Sequence, residues 1–450
     1  MKHFGLRIWQ TLIGFSVLAL VSGCSREPDT HKISGDIKTR IPFTSEGGAY
    51  SLQAVSLSGI RSLYEFSGKY VTFYMSPSVS DSKLTGHQPK TRFIKAGDVY
   101  VPEDVMSQQL AVIYAHFQRL AALDNELGAE GVNTWPRDVG VGVRYKSEGN
   151  RYETNNAFYD GSTDSMLVVP YTQNNLPIAV NAGILAHEHF HSLYFKLVEK
   201  HVFKAQQALH GKSLREEVLN IVEDKNIEIS KPLPEDNDSF TTEYHALFSR
   251  GINEGLADFW AWIYTGDPDF LQHSLPSEKD QRTMNIEEKA AEEFVFPNSE
   301  IWKMEVLNRY SGAQPRGCRG VRVSYCLGSK YARLLKHFSG VVQDSRGLSS
   351  LEARKLVGTA IVKALPTLKE SLLSIKTGEY FDPSSFFKML QDALPDVQTK
   401  EKTFLEKLVV NAQKKAKIDE KSVREGETQV NPTAEIIPAP ILPDEIRGRK

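Results

Sequence analysis

The stretch 181-NAGILAHEHFHSLYF-195 contains three histidines and one glutamate within five residues, in a chain with only 12 histidines among 450 residues. Small and apolar residues precede the cluster, which favours a helix that enters a core over a polar stripe on a solvated helix. A helical pattern continues from about Leu176 to His210. Strand-like segments come before this helix and helical segments follow it, so it stands at the junction of the predicted fold.

His187, Glu188 and His191 form the motif H-E-x-x-H. Residues four apart on a helix share one face, so the two imidazoles can bind the same ion. Zinc accepts imidazole nitrogens at tetrahedral angles, and the adjacent glutamate can act as general base on a zinc-bound water. His189 lies about 160° from His191 by helical geometry, and we do not expect it to be a ligand.

A third ligand is expected from the downstream stretch 251-GINEGLADFWAW-262. Glu254 can complete a His₂Glu site, and Asp258, four residues later, can accept the N–H of a ligating imidazole and fix its tautomer. Glu243 and His245 are alternative third ligands. The connection from His191 to Glu254 is 63 residues long (254 minus 191).

These two motifs resemble those of the thermolysin-like metallopeptidases, the gluzincins, which carry H-E-x-x-H and then N-E-x-x-[SA]-D on a second helix. The resemblance implies zinc as the cofactor, with His187, His191 and Glu254 as ligands. It also implies that Glu188 is the catalytic base and that Asp258 orients a ligating histidine.

A softer part of the resemblance lies upstream, in 155-NNAFYDG-161. It is similar to the edge strand that lines the substrate cleft of thermolysin-like enzymes, and so implies that Asn156 and Ala157 bind a peptide substrate. An exposed strand edge can hold an extended peptide through main-chain hydrogen bonds. The resemblance as a whole covers roughly Val101 to Leu335.

Thermolysin-like enzymes use a downstream histidine to stabilise the oxyanion, and we find no clear equivalent of that histidine in this sequence. Tyr325 in 321-VRVSYCLGSKYARLL-335 is our candidate, in a loop predicted to lead into a helix. Arg322 and Tyr310 are weaker alternatives. The function of such a residue is to stabilise charge that develops in the transition state.

The first residues predict export. Lys2 and Arg7 precede an apolar run too short for a comfortable membrane span, and the run ends in 21-VSGC-24. This ending resembles the lipobox of bacterial lipoproteins, which implies lipidation of Cys24 and a lipid anchor in the cell envelope. Ser25 at the next position implies the outer membrane. A plain secretory signal is the alternative.

Two further cysteines, Cys318 and Cys326, fit one short disulfide in an exported chain, with zinc ligation as the alternative. The formal net charge of -2 gives no reason to expect nucleic acid as a partner. The hydrophobic fraction of 40% and the charged fraction of 24% are ordinary for a globular protein.

The predicted fold class is α+β with two lobes, a β-rich N-terminal lobe and a mainly helical C-terminal lobe joined at the active-site helix. The predicted organisation begins with a lipoprotein signal peptide (1–24), followed by a tether (Ser25 to about Gly47) and a β-rich segment that together cover 25–100. The catalytic N-lobe with the H-E-x-x-H helix covers 101–211, and a surface insertion covers 212–238. The helical C-lobe with the third ligand covers 239–415, and a disordered Pro-rich tail covers 416–450.

The leading expectation is a zinc metalloendopeptidase that acts on peptide or protein substrates. An aminopeptidase is less favoured, because the Gly-rich recognition motif of those enzymes is missing before H-E-x-x-H. A lipoprotein that binds peptides or assembles with partners, with zinc as a structural ion, is the alternative from another class. A structural site is normally closed by four protein ligands, and it has no need of Glu188.

Overall fold

We describe the protein from a computed structural model, which defines residues 33–44, 47–80, 83–144, 152–202, 237–285, 323–375, 381–382 and 384–408. Its strands are β1 (Gly35–Thr44), β2 (Tyr50–Ser62), β3 (Ser67–Gly68), β4 (Val71–Ser80), β5 (Lys83–His87), β6 (Phe93–Ala96), β7 (Val99–Pro102), β8 (Arg137–Val141), β9 (Ala157–Asp160) and β10 (Ser165–Val168). Its α-helices are α1 (Val105–Leu127), α2 (Ala182–Tyr194), α3 (Asn237–Thr265), α4 (Lys279–Arg282), α5 (Val323–Arg346), α6 (Ser350–Ser374) and α7 (Ser385–Ala393). The predicted α+β class is therefore confirmed.

The strands form two five-stranded sheets, with the orders β3-β2-β1-β7-β6 and β5-β4-β8-β10-β9. In the second sheet β4, β8 and β10 run parallel, and the outer strands β5 and β9 are antiparallel to their neighbours. Strand β9 thus lies at an edge of the described sheet, as predicted for the segment around Asn156. Helix α1 contacts both sheets and also α2, which places the histidine helix beside the sheets.

The prediction that residues up to about Gly47 form a polar tether is wrong for Gly35–Thr44. This segment is β1, which pairs with β2 on one side and β7 on the other. Alternate side chains, Ile37, Thr39, Ile41 and Phe43, are buried. Polar Thr39 occupies one of the buried positions and Pro42 lies within the strand, which weakens the period-2 pattern. Burial of the face that carries Ile37, Ile41 and Phe43 against the core makes the strand stable.

Helix α2 begins later than the predicted Leu176, because Asn181 caps it. The Asn181 side chain accepts hydrogen bonds from the N–H groups of Gly183 and Ile184, which would otherwise be unpaired at the helix start. The residues before it form a short 3-10 turn, and a π-helical turn, Phe195–Glu199, continues the helix. Every residue of α2 except His191 is buried, so this helix enters the core.

Helix α3 lies between α2 and α5, and two glycines allow α3 and α5 to approach closely. A Cβ atom on Gly255 would lie 2.4 Å from the carbonyl oxygen of Gly328. One on Gly328 would lie 2.8 Å from Cβ of Glu254. Larger residues at either position would push apart the helices that hold Glu254, so this close contact belongs to the geometry of the site.

Most of the buried apolar residues form one continuous cluster, which extends from the strands through α1, α2 and α3 to the C-terminal helices. The division into two lobes stays a prediction. Within the described part of the chain, none of the helices is both long enough and apolar enough to span a membrane. The predicted insertion at 212–238 lies almost wholly outside the described residues, as do the signal segment and the Pro-rich tail.

Candidate metal centre

Three side-chain atoms from α2 and α3 converge in the core. His187 Nε2 lies 3.0 Å from His191 Nε2 and 3.3 Å from Glu254 Oε2, and His191 Nε2 lies 3.8 Å from the same oxygen. Ligand atoms bound to one tetrahedral zinc ion lie ~3.3 Å apart. The three atoms are therefore spaced as the ligands of a single ion.

The second ring nitrogen of each histidine faces a fixed acceptor. His187 Nδ1 lies 2.9 Å from Asp258 Oδ1, and His191 Nδ1 lies 2.9 Å from Asn253 Oδ1. Asn253 Nδ2 donates to Glu199 Oε1 at 3.3 Å, which leaves Oδ1 as the atom that faces the imidazole. His191 Nδ1 is thus set to carry the proton, whereas His187 Nδ1 lies at ion-pair distance from Asp258 without forming a hydrogen bond in this geometry. In both residues Nε2 is the nitrogen that faces the centre.

This convergence of lone pairs fits a cation. Glu254 Oε2 is a buried atom without a hydrogen-bond partner, although it lies within ion-pair distance of both histidines. Two nitrogens and a carboxylate oxygen facing one another repel unless a proton or a metal cation lies between them. A donor set of two imidazoles and a carboxylate is one that zinc accepts.

Glu188 is the second carboxylate beside the histidines. His187, Glu188 and His191 each offer a ligand atom within 4.8 Å of the others. However, Glu188 Oε2 already accepts a hydrogen bond from the backbone N–H of Tyr159 on β9, at 3.0 Å. Glu254 is therefore better placed as the third donor, and Glu188 lies next to the centre on the side of β9.

Two arginines compensate the negative charge. Arg282 Nη2 lies 2.6 Å from Asp258 Oδ1 and 3.7 Å from Glu254 Oε2, and its guanidinium lies 4.5 Å from the centre of the Tyr325 ring. Arg250 Nε lies 4.0 Å from Glu254 Oε1, the oxygen that does not face the histidines. The two guanidinium groups thus balance the charges of Glu254 and Asp258, while Glu254 Oε2 still faces both imidazoles.

The pKa values of His187 and His191 indicate which of the two histidines is protonated when no metal ion is bound. Burial alone lowers the pKa of His187, but the Asp258 and Glu254 carboxylates outweigh it and raise that pKa to about 9. Burial and the neighbouring His187 lower the pKa of His191 to about 4. One proton therefore resides on His187, and a metal ion bound here would displace it.

The carboxylates respond in opposite directions. Burial raises the pKa of Glu188 to about 7, against the lowering effect of His187. Burial also acts to raise the pKa of Glu254, but His187, His191 and Arg282 hold it well below its usual value. Glu254 is thus an anion at neutral pH, whereas Glu188 titrates near neutrality. Two carboxylates in one site with separated pKa values suit different roles.

His189, the third histidine of the cluster, lies on the other side of α2. Its Nε2 atom lies 2.9 Å and 3.0 Å from the two carboxylate oxygens of Asp124 on α1, and its ring stacks on Trp135. Both His189 and Asp124 are buried. His189 therefore joins α2 to α1 and does not face the metal centre.

The residues predicted to bind substrate lie beside Glu188. Ala157 begins β9, and Asn156 directly precedes it, with its side chain donating to Glu153 at 3.4 Å. Tyr325 lies in the first turn of α5, because the helix already begins at Val323. The prediction that it lies in a loop before the helix is therefore wrong. Its ring contacts Arg282, which brings it next to the centre without placing it among the three donors.

Several predicted residues lie outside the described part of the chain: Cys24, Tyr310, Cys318 and Arg322. Glu243, His245 and Cys326 lie on described helices, but the positions of their side chains are not defined. The lipidation, the disulfide and the alternative third ligands therefore remain predictions.

Three residues of the centre were not assigned by the sequence. Asn253 precedes Glu254 within the recognised motif, so its contact with His191 had a signal that we did not use. Arg282 lies 24 residues beyond Asp258 (282 minus 258) in no recognised pattern. Tyr159 contributes a backbone N–H, which carries no sequence signal at all. The motifs therefore indicated the donors but not the residues that orient them.

Comparison with known proteins adds no assignment: no protein-family model matches the chain, and no curated protein sequence matches it.

Proposed function

We propose that this chain is a zinc-dependent peptidase, in particular an endopeptidase, with the two-lobed architecture of thermolysin-like enzymes. The observation that carries the proposal is the convergence of His187 Nε2, His191 Nε2 and Glu254 Oε2 with their lone pairs toward one point. The resemblance of H-E-x-x-H and N-E-x-x-A-D to the gluzincin motifs supports the same reading.

The ligands of the proposed site are His187, His191 and Glu254, oriented by neighbours. Asp258 faces Nδ1 of His187, and Asn253 faces that of His191. When bound, zinc would polarise a carbonyl group and lower the pKa of a water bound to it to a value near 7. Three protein donors leave a fourth position for substrate or water, which is the arrangement of a catalytic site.

Glu188 is proposed as the general base. Its carboxylate lies beside the histidines and is held by the Tyr159 N–H, so it is fixed next to the position of the ion. A pKa of about 7 allows it to accept a proton from water and then return the proton to the leaving amine near neutral pH. Burial in the core is the main cause of that pKa.

The substrate peptide is proposed to lie along the free edge of β9. Because β9 is antiparallel to β10, every second residue of β9 directs its N–H and C=O groups away from β10. Tyr159 is one of these residues, and its N–H donates to Glu188. Ala157, two residues earlier, has the same orientation and is proposed to pair with the peptide backbone, with Asn156 beside it. Tyr325 remains our candidate for stabilising the oxyanion.

We also propose that the chain is a lipoprotein of the bacterial envelope, anchored through Cys24 and sorted to the outer membrane. The proposal rests on the 21-VSGC-24 sequence and on Ser25. Incorporation of labelled palmitate into the parent but not into Cys24→Ala would support it. Equal labelling of both chains would exclude this anchor.

The test of the peptidase proposal combines metal analysis with cleavage of a peptide library blocked at both termini. The parent should bind about one zinc ion per chain and cleave the blocked peptides, and chelation should abolish cleavage. Glu188→Gln should keep the zinc and lose activity by ~10³-fold or more, as expected for removal of a general base acting on a zinc site. Glu126→Gln, a change on the exposed face of α1, is the matched control and should retain activity.

Three outcomes would contradict the proposal. Cleavage by Glu188→Gln at the parent rate would exclude Glu188 as the base. One zinc ion per chain with no cleavage of any peptide would favour a zinc-stabilised protein that binds peptides or assembles with partners. A second library with free amino termini provides the comparison: cleavage of that library alone would change the assignment to an aminopeptidase.

A further inference from the structure

Asp164, in the turn between β9 and β10, contacts three different side chains. Its carboxylate lies 2.8 Å from Arg137 Nη2 and 2.7 Å from Lys196 Nζ, and it accepts a hydrogen bond from Tyr159 Oη at 2.9 Å. Asp164 has a φ of 53°, a left-handed conformation that aspartate adopts more often than most non-glycine residues. The surrounding contacts hold it in this conformation.

The partners of Asp164 belong to separate elements. Arg137 begins β8, and its side chain is only 3% exposed. Lys196 lies on the π-helical turn that continues the histidine helix α2. Both cations also reach Asn133 Oδ1, Lys196 at 3.0 Å and Arg137 at 3.3 Å. The carboxylate thus joins the β9–β10 hairpin to the sheet and to the helix of the metal centre.

Tyr159 carries this connection into the site. Its hydroxyl donates to Asp164, while its backbone N–H donates to Glu188 Oε2 at 3.0 Å. The ring between these two groups packs on Phe195 of the π-helical turn, with ring centres 5.8 Å apart. The position of the Tyr159 N–H relative to Glu188 therefore depends on contacts at both ends of one residue.

We infer that Asp164 is a positioning residue of the same site: by holding Tyr159, Arg137 and Lys196 together, it fixes edge strand β9 against α2 and so fixes the backbone N–H that orients Glu188. The inference rests on the proposed role of Glu188. A carboxylate in this place is needed because Arg137 is buried and an amide would leave its charge uncompensated.

Hydrogen–deuterium exchange of the zinc-loaded protein, resolved to the Tyr159 amide, tests the geometric part without requiring activity. Asp164→Asn should make this amide exchange about tenfold faster or more, since the strand edge would separate from Glu188 more often. Tyr159→Phe, which removes only the hydroxyl, should produce a smaller increase. Asp160→Asn is the matched control: Asp160 lies in the same hairpin and accepts bonds only from Ser162 and Thr163 among its described contacts, so exchange should stay at the parent rate.

Peptide cleavage by the same variants tests the functional part. Asp164→Asn should bind one zinc ion per chain with the parent's affinity, while kcat falls ~10- to 100-fold, as expected for a misplaced catalytic group. A general loss of structure would lower zinc binding as well. If Asp164→Asn does not fold, Tyr159→Phe and Lys196→Met remove the partners of Asp164 instead, and the same measurements of exchange, zinc affinity and kcat are made on them.

The outcomes separate the two proposals. Unchanged exchange at Tyr159 in Asp164→Asn, with or without activity in the parent, overturns the positioning role. Unchanged kcat in a variant with faster exchange overturns its functional part. If the zinc-loaded parent cleaves no peptide, the peptidase proposal fails, while faster exchange in Asp164→Asn alone still supports the role of Asp164 in holding β9 against Glu188.

Discussion

His187 Nδ1 lies 2.9 Å from Asp258 Oδ1, and both side chains are almost wholly buried. The same oxygen accepts from Arg282 at 2.6 Å. The carboxylate is thus shared between an imidazole and a guanidinium. This arrangement turns Nδ1 of His187 toward a carboxylate, so that Nε2 faces His191 and Glu254.

Replacing Asp258 should therefore weaken the metal centre without removing a donor atom. We expect Asp258→Ala to lower zinc affinity by ~10- to 100-fold, since the ring of His187 loses its acceptor. Competition with a chromophoric chelator measures the change. Asp98→Ala, at an exposed carboxylate far along the chain from the centre, should leave the affinity at the parent value. Equal affinities in Asp258→Ala and the parent would mean that the contact with Asp258 does not orient His187 for metal binding.

His189 should matter for stability and not for metal binding. His189→Leu removes the partner of a buried carboxylate, and such a loss destabilises a protein by about 3–5 kcal/mol. Urea unfolding should show this decrease, while the zinc content stays at one ion per chain. The double variant His189→Leu/Asp124→Leu should recover part of the stability, because no charge remains unpaired. Loss of zinc in His189→Leu, in protein that is still folded, would contradict the position of His189 on the side of α2 away from the metal centre.

His116 predicts a dependence of stability on pH that is separate from the metal centre. It is buried between Phe43, on which it stacks, and the hydroxyl of Tyr264, 2.7 Å from Nδ1. Burial, with a smaller effect of Arg119, lowers its pKa from 6.5 to about 3. Below pH 6.5 the unfolded chain binds a proton that the folded chain does not, so stability falls as the pH falls, down to about pH 3.

The expected contribution of His116 is a loss of about 2 kcal/mol between pH 7 and pH 5. Urea unfolding of the zinc-free protein at a series of pH values measures it, with His116→Gln as the comparison. The variant should be less stable at pH 7, since the stacking contact is lost, but its stability should fall less steeply on acidification. Parallel pH profiles for the two proteins would exclude His116 as the source.

Local patterns predicted much of the fold. Apolar residues recur at helical spacing between Val101 and Gly128, and α1 spans Val105–Leu127 with Gly128 as the left-handed cap. The segment 155-NNAFYDG-161, which is similar to an edge strand, contains β9, and β9 pairs with β10. The error at β1 has a physical cause. Thr39 and Pro42 interrupt its apolar alternation, and its stability comes from pairing with β2, the next strand, and with β7, from a later part of the chain.

Sequence alone determined that His187 and His191 face one direction and that His189 faces another, because the helical repeat sets side-chain directions from spacing. It also indicated Glu254 and Asp258 through a motif on a second helix. Only the tertiary structure decided that α3 brings Glu254 Oε2 within 3.8 Å of both histidines, and that Asn253 and Arg282 complete the surroundings. It likewise decided that the backbone of Tyr159 holds Glu188. These contacts join elements far apart in the chain, and their geometry depends on packing in the shared core, which no local pattern encodes.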